Sequence, residues 1–265
     1  MNRANLRPIA FVLAATNHGT MLVNRHDYRL IPGGGFGVGH QLLNQSAFDP
    51  PEVDFVLQLL ECRRKDFGDG VVAIDGGANI GVHTLEWAQF MHGWGEVVAF
   101  EAQERLFYAL AGNITLNNCF NARAVWAAIG AENGTIEVPV PDYCAPGSFG
   151  SLELRKSENT EFIGQEIDYA AGRTSTTRLT TIDALGLRRL DLVKIDIEGM
   201  ELEALAGAEA SLAACRPQLV IEKIKSDEDA IRRFVERLGY RTLPFGLNLL
   251  ALHETDPTLE RVTAK

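Results

Sequence analysis

Residues 71–253 repeat a pattern of short apolar runs and longer amphipathic segments, which predicts alternating strands and helices. The apolar runs predict the strands Val71–Asp75, Glu96–Ala102, Ala122–Ile129, Leu190–Ile197, Gln218–Glu222, Tyr240–Leu243 and Asn248–His253. The segments with helical spacing predict the helices Glu52–Lys65, Ile80–Met91, Gln103–Asn117, Met200–Ala214 and Asp227–Leu238. Near-continuous apolar strands between helices are typical of a mainly parallel α/β sheet covered on both faces.

The final pair of strands is expected to form a hairpin. Its connection, Pro244-Phe-Gly-Leu247, is too short for the helical crossover that parallel neighbours need. We therefore expect an otherwise parallel sheet to end in an antiparallel strand.

The pattern also predicts the domain organisation. Residues 1–50 are interpreted as an N-terminal extension, and residues 51–265 as the main domain. Within that domain, residues 131–189 break the rhythm of strands and helices with short extended pieces and polar stretches. We interpret them as an insertion beside the carboxyl edge of the sheet, near the substrate site, and a passive surface excursion is the alternative.

The N-terminal extension contains two recognisable features. Ile9–Ala15 and Met21–Asn24 predict a hairpin across the turn at Asn17-His-Gly. The glycine cluster Pro32–Gly39 follows, and it lacks the Gly-Lys-Ser/Thr ending of a phosphate-binding P-loop. A flexible loop is the favoured interpretation of this cluster, and a lid over a substrate is the alternative.

The composition is that of an ordinary globular protein with an acidic balance. Hydrophobic residues make up 46% of the chain, and the net charge is −10, so a nucleic-acid partner is not expected. No apolar run approaches the roughly 20 residues that span a bilayer. The four cysteines form no CxxC pair, which favours a cytoplasmic location. The oligomeric state is not indicated.

The segment Val71–Gly81 predicts a strand, a tight glycine-rich turn and a helix start, an arrangement that binds nucleotide-like cofactors. Read as Gly76-x-Ala-x-x-Gly, it is a degraded dinucleotide fingerprint. Read as Asp75-x-Gly-x-Asn-x-Gly, it resembles the first motif of methyltransferases that use S-adenosylmethionine (SAM). The Asp75 carboxylate would repel a pyrophosphate and attract the ammonium and sulfonium groups of SAM. Glu101, at the end of the next strand, could accept both ribose hydroxyls of either cofactor.

A second polar cluster lies at the end of the strand Leu190–Ile197. This strand is expected to deliver Lys194, Asp196 and Glu198 to the carboxyl edge of the sheet, where ligands bind in open α/β folds. Side chains two residues apart in a strand share a face, so the three would lie together if the strand extends that far. Glu201 is interpreted as an acid that complements the dipole of the following helix.

The motifs taken in order resemble those of FkbM-type SAM-dependent methyltransferases. The matching segments are Ile74–Gly81, Ala99–Ala102, Ala127–Gly130, Thr180–Asp183, Lys194–Gly199 and Leu219–Glu222. The resemblance covers roughly residues 70–225. It implies a Rossmann-like class I methyltransferase fold, with a mainly parallel seven-stranded sheet and an antiparallel last strand.

The resemblance further implies which residues bind SAM. They are Asp75, Gly76, Gly77, Ala78, Asn79, Gly81, Glu101, Ala102, Gln103, Ala127, Ala128 and Asp196. Asp75, Gly77, Asn79 and Gly81 would form the SAM loop, and Glu101 would hold the ribose with Ala102 and Gln103 beside it. Ala127 and Ala128, after the third strand, would flank the adenine, and Asp196 would sit near the methionine end. Ala102-Gln103 stands where the family commonly has Pro-Asn, so the adenosine contacts at these two positions are expected to differ from the family pattern.

The expected reaction is methylation of a hydroxyl oxygen on a saccharide or another small or lipid-linked metabolite. A hydroxyl is a poor nucleophile and gains from a general base, for which Asp196, Glu198 or Glu222 are the candidates. Lys194 or a histidine such as His83 are alternatives. The acids could instead bind a divalent cation, but the sequence lacks a compact ligand pattern, so no metal is expected.

Two other functions compete with this interpretation. A dinucleotide-dependent oxidoreductase is disfavoured by Asp75, by the imperfect glycine spacing and by the lack of a Tyr-x-x-x-Lys pair. A non-catalytic SAM-binding module is disfavoured because Asp75, Glu101 and Asp196 are all intact.

Overall fold

A computed structural model describes residues 8–263, and its centre is a seven-stranded sheet. In chain order these strands are β5 (Val71–Gly76), β6 (Gly95–Glu101), β7 (Ala122–Trp126), β11 (Leu192–Ile195), β12 (Gln218–Glu222), β13 (Tyr240–Phe245) and β14 (Asn248–His253). Their spatial order is β13-β14-β12-β11-β5-β6-β7. The five strands β12, β11, β5, β6 and β7 are parallel to one another. Strand β14 pairs antiparallel with both β12 and β13. The predicted sheet and its antiparallel last strand are confirmed.

The near-continuous apolar strands follow from burial on both faces of this sheet. In β5, Val71 and Ala73 pack into the core on one face, whereas Val72 and Ile74 pack into the core on the other. Because successive side chains of a strand point to opposite faces, every position of β5 is buried.

Helices cover both faces of the sheet. They are α2 (Pro50–Phe67), α3 (Val82–Phe90), α4 (Glu104–Leu116), α5 (Glu201–Ala206), α6 (Glu209–Cys215), α7 (Glu228–Arg237) and α8 (Thr258–Thr263). The prediction of one helix over Met200–Ala214 is wrong, because the helix breaks at Gly207. A Cβ at Gly207 would lie 2.1 Å from the carbonyl oxygen of Gly130, so this contact between backbones fixes the break.

The insertion forms a small second sheet beside the main one. Its strands β9 (Gly134–Pro139) and β10 (Thr174–Thr180) form this sheet together with β8 (Ala128–Ile129), which precedes the insertion, in the order β8-β10-β9. The predicted strand Ala122–Ile129 is therefore divided, since the chain leaves the main sheet after Trp126 and joins the second sheet at Ala128.

The N-terminal extension packs against α3 and α4. Its predicted hairpin is confirmed as β1 (Phe11–Thr16) and β2 (Gly19–Asn24), and the Leu22 N–H donates to Asn113 Oδ1 of α4 at 2.6 Å. The glycine cluster is not an irregular loop. It forms a second hairpin of β3 (Arg29–Ile31) and β4 (Gly34–Phe36) and then begins α1 (Val38–Gln45). Within residues 8–263, none of the helices combines the length and apolarity that a membrane crossing requires.

Candidate functional site

The turn after β5 brings the backbone to the carboxyl edge of the sheet. Gly77 has φ +82°, and a Cβ there would lie 1.8 Å from the Asp196 carbonyl oxygen, so only glycine fits. Asn79 also has a positive φ of 52°, and its Oδ1 accepts the Ile80 N–H at 2.8 Å. Gly76 and Gly81 line neither pocket described below. A Cβ at Gly81 would lie 2.6 Å from Leu110 of α4, so packing against that helix also requires a glycine at this position.

Glu101 faces this turn from the end of β6. Its two carboxylate oxygens accept the backbone N–H groups of Asn79 and Gln103, each at 2.8 Å. Burial raises the pKa of Glu101 to about 7, against the opposing effect of the two N–H groups. Each oxygen has a second lone pair, so the carboxylate can still accept hydroxyls from a ligand.

A narrow pocket of about 490 Å³ begins at Glu101. It is lined by most of the residues predicted to hold a nucleoside, namely Gly77, Asn79, Glu101, Ala102, Gln103, Ala127, Ala128 and Asp196. Apolar residues of the insertion and of the loop before α5 complete it, namely Leu152, Leu154, Ile197 and Met200. A concave, mostly apolar site with a few polar groups has the shape and chemistry of a nucleoside pocket.

A wide pocket of about 1,020 Å³ adjoins the narrow one. Five residues line both pockets: Gly77, Asn79, Gly150, Asp196 and Glu198. The N-terminal extension supplies apolar lining through Phe36, Val38 and Phe48, and the predicted site residues Asp75, Ala78 and Glu222 also lie here. A ligand in one pocket can therefore reach a second ligand in the other.

The three candidate catalytic carboxylates meet where the pockets join. Single oxygens of Asp196, Glu198 and Glu222 all lie within 4.8 Å of one another. Strand β11 ends at Ile195, and Glu198 has φ +58°, so a turn rather than strand alternation brings Glu198 back to the site. Oxygens at this spacing could also hold a divalent cation.

Two lysines partly neutralise this cluster. Lys194 Nζ lies 2.6 Å from Asp196 Oδ2, and Lys225 Nζ lies 2.7 Å from Glu198 Oε2. Burial opposes the charge on Lys194, but the neighbouring carboxylates outweigh it and raise the pKa of Lys194. Glu222 Oε2 is buried and has no hydrogen-bond partner among residues 8–263. Burial, followed by the charges of Asp196 and Glu198, raises the pKa of Glu222 to about 9.

Asp75 is more enclosed than the sequence indicated. It is 1% exposed, its Oδ2 accepts the Thr84 hydroxyl at 2.6 Å, and the strand register places it opposite Lys194. Asp75 therefore contacts protein groups and also lines the wide pocket.

Sequence reasoning missed Glu52. This residue lies in the first turn of α2, where an acid is expected to complement the helix dipole. In the fold its Oε1 lies 3.2 Å from His83 Nε2 and 3.8 Å from Lys194 Nζ, and its Oε2 accepts the Asn248 amide at 2.8 Å. Burial would raise the pKa of Glu52, but His83 and Lys194 outweigh it and lower the pKa to about 2. Only the position of the Pro50-Pro-Glu helix start hinted at this residue.

Comparison with known proteins identifies the family of this region. Residues 75–242, more than half of the chain, match the model of the methyltransferase FkbM domain. The chain is 24% identical over 172 residues to Methyltransferase 1 of Beauveria bassiana, covering 62% of this chain and 68% of that protein. It is 25% identical over 159 residues to Methyltransferase sdnD of Sordaria araneosa, covering 51% of this chain and 60% of that one.

Solved structures give a weaker likeness. The crystal structure of Methyltransferase FkbM from Methylobacillus flagellatus has a TM-score of 0.47 and 18% identity, over 70% of this chain and 43% of that one. The O-methyltransferase from Bacillus cereus in complex with S-adenosylhomocysteine (SAH) has a TM-score of 0.45 and 14% identity, over 78% and 83%. Both TM-scores lie below 0.5, so the family assignment rests on the sequence match. The chain spans under half of the first structure.

Proposed function

Because the chain belongs to the FkbM methyltransferase family, residues 75–242 form a SAM-dependent methyltransferase domain, and we propose that the protein methylates a hydroxyl oxygen of an uncharged saccharide or another small or lipid-linked metabolite. The observation that carries this proposal is the junction of the two pockets. The residues they share, Asp196 and Glu198 among them, lie where the donor and the acceptor would meet.

The cofactor is proposed to occupy the narrow pocket and to extend to the junction. Glu101 accepts the ribose hydroxyls, and Ala127 and Ala128 flank the adenine. Asp196 lies near the methionine end, beside the sulfonium. A carboxylate there favours the cationic sulfonium in the ground state and holds the methyl group toward the wide pocket.

The acceptor is proposed to occupy the wide pocket. Asp49, Asp75, Asp196, Glu198 and Glu222 line it, whereas its lining includes a single lysine, Lys194, which is already paired. An anionic acceptor would be repelled by these carboxylates, which favours an uncharged one. The apolar lining from the N-terminal extension suits a sugar face or an apolar tail.

Methyl transfer is an SN2 displacement at the methyl carbon. The acceptor oxygen forms a bond to carbon as the carbon–sulfur bond breaks, and the sulfur keeps that electron pair as a neutral thioether. The hydroxyl proton passes to a carboxylate, for which Glu222 is proposed because one of its oxygens is free. Since its pKa is about 9, only the ionised fraction of Glu222 can accept the proton, so methyl transfer is expected to rise as pH approaches 9. Asp196 and Glu198 each pair with a lysine and complete the acidic cluster, and Phe36, Val38 and Phe48 of the N-terminal extension line the pocket beside it.

The decisive experiment has two parts. Calorimetry with SAM, SAH and NAD is expected to give binding of the first two only, and binding of NAD alone would instead indicate an oxidoreductase. Transfer of tritium from methyl-labelled SAM is then measured over a panel of uncharged saccharides, their alkyl glycosides and the matching uronates. Label in the neutral members and not in the uronates is expected. Binding of SAM without transfer to any hydroxyl compound, across this panel and a metabolite extract, would indicate a non-catalytic module.

A further inference from the structure

A buried carboxylate outside both pockets joins two segments that cover them. Asp27 follows strand β2 and is 2% exposed. Its Oδ2 accepts the Gly39 N–H at 2.9 Å, and its Oδ1 accepts the Phe149 N–H at 3.0 Å. The two oxygens thus hold the start of α1 and a distant part of the insertion at the same time.

Both segments line the proposed binding site. At the start of α1, Gly37 and Val38 line the wide pocket. In the insertion, residues 147–154, here called the strap, cross the junction. Gly150 of the strap lines both pockets, and Leu152 lines the narrow one. Asp27 therefore ties the cover of the acceptor pocket to the cover of the cofactor pocket.

This contact explains two glycines of the cluster, Gly37 and Gly39. Gly37 has φ +133°, and a Cβ on it would lie 2.6 Å from the Asp27 carbonyl oxygen. A Cβ on Gly39 would lie 2.8 Å from Asp27 Cβ and 2.3 Å from the Asn24 carbonyl oxygen. Backbone this close to Asp27 leaves no room for a side chain at either position.

The strap is connected to the cofactor pocket on its other side. The Phe149 carbonyl oxygen accepts the Gln103 amide at 2.8 Å, and the Gln103 backbone N–H donates to Glu101 at 2.8 Å. The Tyr143 hydroxyl donates to Gln103 Oε1 at 3.0 Å and fixes that amide. Hydrogen bonds therefore connect Glu101 to Gly39 through the Gln103 side chain, the backbone of Phe149 and the carboxylate of Asp27.

We propose that Asp27 is a positioning residue through which occupancy of the narrow pocket orders the α1 cover of the wide pocket. The inference rests on the proposed function, because it takes the narrow pocket as the site of the cofactor's adenosine. A ligand held by Glu101 fixes Gln103, Gln103 fixes the strap, and the strap fixes α1 through Asp27. The acceptor pocket is then completed only when the cofactor is bound, and coupling of this kind commonly amounts to roughly 5–150-fold.

The test is hydrogen–deuterium exchange of the full chain with adenosine and, separately, with SAH. Adenosine lacks the amino-acid part of the cofactor, so it cannot reach α1 directly through the wide pocket. Saturating adenosine is expected to slow exchange at residues 77–103 and 147–154, and also at residues 37–45, by at least about threefold. Asp27→Asn is expected to keep the slowing at 77–103 and to lose it at 37–45. Its amide can accept only one of the two N–H groups.

Asp191→Asn is the matched control, because Asp191 is an equally buried carboxylate at the opposite edge of the sheet. It is expected to lower stability while keeping the response at residues 37–45, which separates positioning from general support of the fold. An unchanged response in Asp27→Asn would overturn the role of Asp27.

If Asp27→Asn does not fold, hydrogen–deuterium exchange of the wild-type protein tests the coupling. Slowing at 77–103 without any at 37–45 would overturn the coupling and leave the proposed function standing. No slowing at 77–103 with either ligand would overturn both the cofactor site and the coupling. Tyr143→Phe, which removes one hydroxyl from the path, is expected to weaken the response at 37–45 without abolishing it.

Discussion

Strand β11 carries an aspartate at each end, Asp191 before it and Asp196 after it, and the two lie in opposite surroundings. Asp191 is fully buried and accepts from Arg63 at 3.1 Å, Arg189 at 2.7 Å and the Val72 N–H at 2.9 Å. Two guanidinium groups and a backbone donor therefore satisfy its two oxygens. This amino edge of the sheet is a closed network.

Asp196 has one strong partner, Lys194, and two acidic neighbours. Burial raises the pKa of Glu222, and the charges of Asp196 and Glu198 raise it further. One oxygen of Glu222 has no partner within the described part of the chain. The strand is the same, so the difference lies in what surrounds its ends. Satisfied polar groups stabilise the amino edge, whereas unsatisfied acids at the carboxyl edge are available to a ligand.

The largest expected effect is on stability at the amino edge. Asp191→Ala leaves Arg63 and Arg189 without their shared carboxylate, and breaking a buried pair in this way costs about 3–5 kcal/mol. Urea unfolding would measure it, with SAH affinity expected to stay within about twofold of wild type. Asp69→Ala is the control, because Asp69 pairs with Arg64 at the surface and contributes about 0–1 kcal/mol. A loss of SAH binding in folded Asp191→Ala would contradict the assignment of stability to the amino edge and ligand binding to the carboxyl edge.

Removing an acid from the carboxyl edge is expected to stabilise the fold. The folded pKa of Glu222, about 9, lies above the ordinary value of 4.5. The proton bound in the folded state therefore contributes stability that is complete below pH 4.5 and is lost as pH rises through 9. Glutamine cannot ionise, so Glu222→Gln should gain on wild type by roughly 1–3 kcal/mol as pH rises from 5 to 9.

Thermal unfolding across that pH range would measure this gain. Glu254→Gln, at an exposed position, should change little at any pH. A Glu222→Gln variant that is less stable than wild type at pH 9 would mean that the carboxylate is satisfied, like Asp191.

A smaller effect is expected on cofactor affinity at Glu101. Glu101→Gln replaces one accepting oxygen with a donor that faces a backbone N–H, so we expect SAH affinity to fall about tenfold or more, or roughly 1.4 kcal/mol. Glu96→Gln is the matched control, because Glu96 is exposed on the same strand, β6, near its amino end. Calorimetry with SAH measures both variants. Equal losses would show that charge rather than position on the strand matters.

Local sequence was enough to predict the sheet and most of the cofactor turn. In β5 the apolar run reflects burial on both faces, and Asp75 to Gly81 lie within one turn whose spacing is fixed by the backbone. Contacts between residues that lie far apart in the sequence could not be predicted from motif spacing. Gly207 breaks a helix because Gly130, the residue after β8, approaches it closely. Glu52 reaches Lys194 only because α2 packs against the sheet at β5.

The smallest expected effect is that of divalent cations on the acids of the carboxyl edge. Asp196 and Glu198 already face lysine ammonium groups at 2.6 and 2.7 Å, so a cation among the three acids would meet Lys194 and Lys225. We therefore expect the melting temperature and SAH affinity to be unchanged between excess EDTA and millimolar Mg²⁺ or Mn²⁺. A cation-dependent rise in melting temperature that Glu222→Gln abolishes would contradict this and identify the acids as metal ligands. In that case the open oxygen of Glu222 would be explained by coordination rather than by proton transfer.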